Sequence, residues 1–148
     1  MLDKGKFEEF FDGGTVDTEV CIVGLGATGS HVAEMAVRLG FKSFRIYDFD
    51  VVDAHNLANQ NYSQEDIGKE KIDACKEMML RINPDITIKE YRNGIEMPYT
   101  VTGIVFLCID NIELRKEIIE YNRNNFEVSC FVDFRILLTT AQHYFADR

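Results

Sequence analysis

Residues 19–29 read Glu-Val-Cys-Ile-Val-Gly-Leu-Gly-Ala-Thr-Gly, and this stretch decides the fold. Its first part is a short apolar, β-branched run that ends at a glycine, which is typical of a buried parallel strand. Residues 27–39 then carry apolar side chains at helical spacing, and Gly40 follows as a C-terminal cap. The G-x-G-x-x-G pattern therefore lies in a tight turn between a strand and a helix, where backbone N–H groups can bind a phosphate.

The rest of the chain continues to alternate strands with helices. Further strands are predicted at residues 43–47, 86–91, 103–109, 127–132 and 136–145, with Asp133-Phe134-Arg135 separating the last two. Further helices are predicted at residues 71–82, which follow a capping box at 63–66, and at residues 112–121, whereas 51–62 is a loop or a broken helix. This alternation predicts an α/β, doubly wound, Rossmann-like fold with a mostly parallel sheet and helices on both faces.

Length and composition restrict the class of protein. The 148 residues are expected to form one domain, 1–148, since 46% hydrophobic and 28% charged residues are typical of a globular chain. The net charge of −9 disfavours nucleic acid and anionic membranes as partners. No apolar run approaches the roughly 20 residues that span a bilayer, and four widely spaced cysteines fit a reducing compartment. We therefore expect a cytoplasmic protein.

In a doubly wound sheet, ligands bind beyond the carboxyl ends of the strands, so the residues that follow each predicted strand are the candidates. Besides the glycine turn, these are residues 48–50, 108–111 and 133–135. Asp48 lies about 20 residues after the third glycine, where a carboxylate accepts hydrogen bonds from an unphosphorylated ribose. On these residues alone, a NAD-dependent dehydrogenase and an adenylate-binding enzyme are equally supported.

Further motifs follow the glycine turn in a definite order. They are Asp48-Phe49-Asp50-Val51-Val52, Asn56-Leu57-Ala58-Asn59-Gln60, Gly68-Lys69-Glu70-Lys71, Arg81-Ile82-Asn83-Pro84 and Cys108-Ile109-Asp110-Asn111. With the glycine turn, this set resembles the ThiF/MoeB superfamily of E1-like activating enzymes, whose pattern continues D-x-D-x-V, N-L-x-R-Q, G-x-x-K, R-x-N-P and C-x-D-N. The resemblance covers roughly residues 19–145.

The resemblance implies an ATP- and Mg²⁺-dependent enzyme that adenylylates the C-terminal carboxylate of a ubiquitin-like protein or peptide as pyrophosphate leaves. A lysine on the phosphates and a carboxylate that holds magnesium supply the charge neutralisation that this transfer needs. The family's nucleotide-binding positions carry over to Gly24, Gly26, Ala27, Thr28, Gly29, Asp48, Asp50, Asn56 and Gln60. Lys71 carries over as the catalytic, phosphate-binding lysine, and Asp110 as the catalytic metal ligand.

Simpler roles remain open for these residues. Lys71, near the start of a helix, would ordinarily be a surface lysine, and Asp110 would ordinarily cap the helix that follows it. Asp50 would serve equally well to stabilise its loop by accepting hydrogen bonds from backbone N–H groups. Asn56 and Gln60 are equally compatible with ordinary polar positions in a loop.

The chain departs from the family at its arginines. Asn59 replaces the arginine of N-L-x-R-Q, and residues 1–20 contain only lysines where the family supplies an arginine, often from the partner subunit of a dimer. Because an amide does not reproduce a bidentate guanidinium, we expect weaker binding of the β- and γ-phosphates. Arg92 and Arg135 are candidate replacements, although Arg135 is equally compatible with an ion pair to Asp133.

Three interpretations follow. The first is a minimal E1-like adenylyltransferase, expected to be a homodimer, that lacks the C-terminal part of the family, including its catalytic cysteine and paired zinc ligands. The second is a degenerate E1-like domain that works as a nucleotide-binding or dimerising partner module. The third is a NAD-dependent oxidoreductase, supported by the glycine motif and Asp48 alone. The four cysteines are expected to be small core residues in each case.

Overall fold

The computed structural model describes residues 17–137 and 140–147. Its strands are β1 Val20–Val23, β2 Ser43–Tyr47, β3 Thr87–Tyr91, β4 Gly103–Leu107, β5 Val128–Leu137 and β6 Thr140–Asp147. Its α-helices are α1 Gly29–Leu39, α2 Lys71–Ile82 and α3 Ile112–Tyr121, and the 3-10 helices Ala54–Ala58 and Gln64–Asp66 precede α2. Within these described residues, every helix is too short or too polar to cross a lipid bilayer.

The six strands form one sheet in the order β3-β2-β1-β4-β5-β6. Neighbouring strands from β3 to β5 are parallel, and β6 pairs antiparallel with β5. The predicted α/β fold with a mostly parallel sheet is confirmed. The chain builds outward from β1 to β3 on one side and from β4 to β6 on the other, so the strand order reverses between β1 and β4. In folds of this kind, that reversal opens a crevice at the carboxyl ends of the two strands.

The central position of β1 explains its unbroken apolar sequence. All four of its residues are buried, because helices cover both faces of the sheet. On one face, Ile22 packs in a cluster with apolar residues of β2, α1 and α2, among them Phe44, Val37, Ile72 and Met79. On the other face, Cys21 and Val23 pack with apolar residues of β4 and α3, among them Leu107 and Ile118. The carboxyl end of β1 is therefore fixed in place at the crevice by packing on both faces of the sheet.

The last part of the chain differs from the prediction. The predicted interruption at 133–135 is wrong, because β5 runs continuously through these residues to Leu137. Asp133 is buried within the strand, and its carboxylate is bound by the Arg115 guanidinium of α3. Because Arg115 of α3 neutralises the charge of Asp133, this carboxylate can lie inside a strand, although its local sequence resembles a turn. By contrast, the prediction of a loop or a broken helix at 51–62 is confirmed, because this stretch forms a loop that contains the 3-10 helix Ala54–Ala58.

Candidate active site

A cavity of about 670 Å³ opens at the carboxyl ends of the strands, at the crevice between β1 and β4. Most of its lining comes from the turns that follow β1, β2 and β4, from the start of α2 and from the segment after β3, and the loop before α2, the start of α3 and β5 add further residues. Most of the predicted site residues meet there, namely Gly24, Gly26, Ala27, Thr28, Asp48, Asp50, Gln60, Lys71 and Asp110. A volume of this size is typical of small-molecule sites.

The glycine turn forms one wall of the cavity. Gly24 has φ +91°, a conformation that side-chain-bearing residues rarely adopt, and a Cβ there would lie 2.9 Å from Ile109 Cγ2. A Cβ at Gly26 would meet no atom within 4 Å, so this position faces open space. Gly29 is outside the lining, and a Cβ there would overlap the carbonyl oxygen of Gly24. Gly29 therefore allows α1 to pack closely against the turn.

Three backbone donors of this turn are available to a ligand. In the part of the chain that the structure describes, the N–H groups of Gly26, Ala27 and Thr28 have no hydrogen-bond acceptor. These residues line the cavity and immediately precede α1. The amino terminus of a helix carries partial positive charge, so unpaired N–H groups at this place bind anions such as phosphate.

Two side chains fix the orientation of the glycine turn. Asp48, at the end of β2, accepts a hydrogen bond from the Leu25 N–H at 2.6 Å. Tyr62 donates its hydroxyl to the Leu25 carbonyl oxygen at 2.7 Å. Because both ends of this buried residue are held by side chains, the turn is ordered before a ligand arrives. The carboxylate of Asp48 lines the cavity and has lone pairs left for ribose hydroxyls.

Lys71 is a buried residue of the site and not the surface lysine that the sequence alone left open. It is the first residue of α2, its side chain is 7% exposed, and its Nζ lies 2.9 Å from Asp50 Oδ2. Asp50 also donates its backbone N–H to Asp48 Oδ1 at 2.8 Å. Hydrogen bonds thus connect the turn after β1, the turn after β2 and the start of α2.

Asp110 projects from the loop that follows β4, where it is exposed and lines the cavity. It does not cap α3: the cap is Asn111, whose Oδ1 accepts the Leu114 N–H at 3.0 Å. The capping role that the sequence left open for Asp110 is therefore filled by its neighbour. Within the described residues, the Asp110 carboxylate has no hydrogen-bond partner, so it is available to a cation.

Arg115 holds the loop that carries Asp110. Its guanidinium is buried, its Nε donates to the Ile109 carbonyl at 2.6 Å, and its Nη1 donates both to Asp133 Oδ1 and to the Phe134 carbonyl. Arg115 lines the cavity, yet its acceptors all belong to the loop after β4 and to β5. We missed Arg115 in the sequence. The signal was a charged residue three positions before Ile118 on the apolar face of a predicted helix.

The loop between β2 and α2 contributes to the cavity a different set of residues from the one that the N-L-x-R-Q motif implies. Asn59 and Gln60 line the cavity, whereas Asn56 does not. The buried side chain of Asn56 accepts the Asp53 N–H at 2.9 Å and so caps the 3-10 helix. Gln60 Oε1 is buried without a hydrogen-bond partner among the described residues. An unsatisfied buried acceptor is costly, so Gln60 gains from a ligand that brings an O–H or N–H group.

The donor set fits magnesium in one particular way. Within the described residues, no group of three or more His, Cys, Asp and Glu side chains could hold a metal ion. Mg²⁺ is commonly held by one or two carboxylates together with phosphate oxygens and water. Asp110 at the cavity edge meets that requirement only if a nucleotide brings the phosphates. The residues therefore fit a nucleotide-bound magnesium ion and not an all-protein metal site.

Neither candidate replacement for the family arginines lines the cavity. Arg92 bonds to Asp73 of α2 at 2.6 Å and also pairs with Glu70, which precedes α2, and with Glu90 of β3. Arg135 bonds to Asp133 at 2.9 Å and lies over the Tyr144 ring. Both arginines thus serve ion pairs outside the cavity.

The cysteine next to the site is unsuited to nucleophilic attack. Cys108 lines the cavity, and burial raises the pKa of its thiol to about 12. The thiolate needed for nucleophilic chemistry is therefore scarce at neutral pH. Cys21, Cys75 and Cys130 are buried, as expected of core residues.

Fold and site together place the chain in the class of Rossmann-like proteins, with a carboxylate and unpaired amides at the crevice where this class binds nucleotides. The model of the ThiF family matches residues 15–125, and the chain belongs to this family. It is 31% identical over 120 residues to ubiquitin-like modifier-activating enzyme 5 of Oryza sativa subsp. japonica. That match covers 67% of this chain and 28% of the relative, so the chain spans less than a third of that protein's length.

Solved structures share the fold. The E. coli tRNA N6-threonylcarbamoyladenosine dehydratase TcdA, in complex with ATP, superposes with a TM-score of 0.78 at 22% identity, over 89% of this chain and 58% of that one. E. coli MccB with MccA-N7isoASN superposes with a TM-score of 0.80 at 20% identity, over 90% and 41% of the two chains. Family membership leaves the oxidoreductase interpretation without further support.

Proposed function

We propose that this chain is the adenylation domain of an E1-like enzyme, which binds ATP with Mg²⁺ and adenylylates the C-terminal carboxylate of a ubiquitin-like protein or peptide. The observation that carries the proposal is that the unpaired amides before α1, Asp48, Lys71 and Asp110 surround one cavity at the strand reversal. Family membership supports the reaction class, since the matched relatives include an enzyme named for activating a ubiquitin-like modifier.

The nucleotide is proposed to lie across the crevice. Asp48 accepts the ribose hydroxyls, and the N–H groups of Gly26, Ala27 and Thr28 bind phosphate oxygens. Phe49 lies beside Asp48, lines the cavity and is 75% exposed, so its ring offers an apolar surface to the base. Phe49 was not among the predicted site residues, although an aromatic residue between two aspartates was a visible signal in the sequence.

Attack of the substrate carboxylate on the α-phosphate needs alignment and charge neutralisation rather than a protein nucleophile. Lys71 donates to the phosphates, and Asp110 would hold magnesium, which neutralises the charge of the triphosphate. Arg115 keeps the Asp110 loop in place by binding the carbonyl of Ile109. In this proposal, Lys71 and Asp110 are the catalytic residues.

The remaining expectations belong to the same proposal. The 148 residues act as one adenylation domain in the cytoplasm, as a homodimer, with no nucleic acid or membrane partner. The recognised partner is a ubiquitin-like protein or a peptide, and the MccB complex with MccA-N7isoASN supports a peptide as an alternative to a folded modifier.

A degenerate module is the second candidate, and the lining of the cavity favours it. Asn59 lines the cavity where the family motif has an arginine. The two cations of the lining, Lys71 and Arg115, are each paired with a carboxylate of this chain. Such a site would bind a nucleotide without turning it over.

The first experiment is thermal denaturation with ATP and Mg²⁺, with ADP and with NAD, because a ligand that binds the native state raises the Tm. We expect magnesium-dependent stabilisation by ATP and none by NAD, and its loss in Asp110→Ala without a change in the Tm of the free protein. Exchange of pyrophosphate into ATP is then measured with a peptide that ends in a glycine carboxylate, and with its amide as the control. Stabilisation without exchange favours the degenerate module, and stabilisation by NAD alone contradicts the proposal.

A further inference from the structure

Asp50 stands in an unusual position for a residue that belongs to a nucleotide site. It lines the cavity, yet its carboxylate is paired with Lys71, one of the two cations that the described residues contribute to the lining: Asp50 Oδ2 lies 2.9 Å from Lys71 Nζ. In the described part of the chain, this is the one hydrogen bond that the ammonium makes. The phosphates of ATP and the carboxylate of Asp50 would therefore compete for the Lys71 ammonium.

The backbone holds the two residues in register. The Lys71 N–H donates to the Asp50 carbonyl oxygen at 2.9 Å, and the Val52 N–H donates to the Lys69 carbonyl oxygen at 2.8 Å. Val51 and Glu70 form an antiparallel bridge between these bonds. The turn after β2 is thus fastened to the start of α2 by a short ladder, so the distance from Asp50 to Lys71 is set by the main chain.

Burial shows why Lys71 needs this partner. The Lys71 side chain is 7% exposed, whereas that of Asp50 is 51% exposed. A buried ammonium without a counter-charge is costly, and Asp50 supplies the counter-charge while the cavity holds no nucleotide. A carboxylate has no proton to donate to a phosphate oxygen and repels its charge. Asp50 is therefore suited to hold Lys71 and unsuited to bind phosphate itself.

We propose that Asp50 is a positioning residue, which holds the Lys71 ammonium toward the cavity and competes with the phosphates of ATP for it. The inference rests on the proposed nucleotide site and assigns Asp50 a role in it other than nucleotide contact. The Asp50–Lys71 ion pair lowers the affinity of the site for the triphosphate. It also fixes the direction from which the Lys71 ammonium approaches the phosphates. If Asp50 were instead a direct ligand of magnesium or nucleotide, its removal would weaken binding, so the two roles predict opposite signs.

The test is the Kd of MgATP, measured by calorimetry for the wild-type chain, Asp50→Asn, Lys71→Met and the double variant. We expect Asp50→Asn to bind MgATP about fivefold more tightly, because the freed ammonium gains the phosphate as its counter-charge. In the Lys71→Met background the same change should alter the Kd by less than about twofold. Adenosine, which has no phosphate, should bind equally to wild type and Asp50→Asn.

Glu65→Gln is the matched control, since it removes one negative charge from an exposed residue that does not line the cavity. Its Kd for MgATP should equal that of the wild type. Weaker binding of MgATP by Asp50→Asn makes Asp50 a direct ligand and overturns the inference alone, as does tighter binding that persists in the Lys71→Met background. Failure of all these proteins to bind MgATP overturns the proposed function and the inference together.

Discussion

The two ends of the parallel sheet carry similar charged residues and use them differently. Near the amino end, Glu19 accepts hydrogen bonds from Arg45 Nε at 3.1 Å, from Lys89 Nζ at 3.1 Å and from the Thr102 hydroxyl. We call these four residues the Glu19 cluster. At the carboxyl end, Asp110 has no partner among the described residues, and three amides before α1 have no acceptor. At the amino end the charged groups bond to one another, whereas the carboxyl end leaves Asp110 and these three amides for a ligand.

The difference separates stability from binding. The Glu19 cluster joins the segment before β1 to β2, β3 and the segment before β4, so it stabilises the strand arrangement on which the cavity depends. Unpaired groups at the carboxyl end contribute little to the free energy of unfolding, because solvent reaches them. Substitutions at the two ends should therefore change different measured quantities, and the following predictions test that separation.

The largest effect is expected from Glu19→Ala, which leaves the buried guanidinium of Arg45 without its carboxylate. The Arg45 and Glu19 side chains are 10% and 15% exposed. Removing one partner of such a pair should lower the free energy of unfolding by about 2–4 kcal/mol. Denaturation in urea measures this loss, and the Kd of MgATP in the folded variant should stay within about twofold of wild type.

The matched control is Glu113→Ala, which removes a carboxylate from the exposed pair with Lys116, whose side chains are 76% and 64% exposed. Its effect on the free energy of unfolding should be below about 1 kcal/mol. Equal losses in the two variants would contradict the special role given to the Glu19 cluster.

Lys71→Met should have the opposite effects of Glu19→Ala, with a large change in the Kd of MgATP and a small change in stability. It removes a charged donor to the phosphates, so the Kd of MgATP should rise about tenfold to a hundredfold, or about 1.5–3 kcal/mol. The carboxylate of Asp50 is half-exposed and stays hydrated, so the Tm of the free protein should change little. Calorimetry and thermal denaturation check the two parts. A large fall in Tm with unchanged affinity would make Lys71 a structural residue only.

The pH dependence of stability should also distinguish the two ends. Burial disfavours the charged form of Glu19, but hydrogen bonds from Thr102 and Lys89 and the charge of Arg45 outweigh it and hold the pKa of Glu19 below its ordinary value of 4.5. A lowered folded-state pKa adds stability above the unfolded-state pKa, and this stability is lost as the pH falls through the folded-state pKa. As the pH falls from about 5 to about 3, wild type should lose more of its free energy of unfolding than Glu19→Gln, as measured by urea denaturation. Parallel curves would show that Glu19 has no lowered pKa.

The comparison of the two ends also explains what the sequence could predict. In the sequence, each of these parallel strands is an apolar run that stops at a polar turn, so the meeting of Gly24, Asp48 and Asp110 followed from the prediction of a parallel sheet. The Glu19 cluster could not be foreseen, because it joins residues on four separate segments that no local period connects. The same reason applies to Asp133, whose partner Arg115 lies on α3.

Most of the residues predicted for the site line one cavity, but the side-chain partners of several of them were not predicted. Lys71 was expected near the phosphates, but its pairing with Asp50 depends on a short backbone ladder between two loops. Asn56 was expected in the nucleotide pocket, whereas its side chain caps a 3-10 helix. Side-chain partners depend on rotamers and long-range packing, which a single sequence does not encode in its spacing.

The smallest effect is expected from Asn59→Arg, which tests whether the cavity lacks a cation that would help to bind the phosphates. Asn59 lines the cavity where the family motif has an arginine, so Asn59→Arg should return one positive charge to a lining in which three carboxylates face two cations. We expect the Kd of MgATP to fall about twofold to fivefold, with less gain at high salt, because the new charge is partly exposed to solvent. Asn59→Gln, which adds length without charge, should leave the Kd unchanged. If the arginine variant binds MgATP no more tightly than wild type, the loop that carries residue 59 does not approach the phosphates. The unpaired amides and Lys71 would then bind the phosphates without help from that loop.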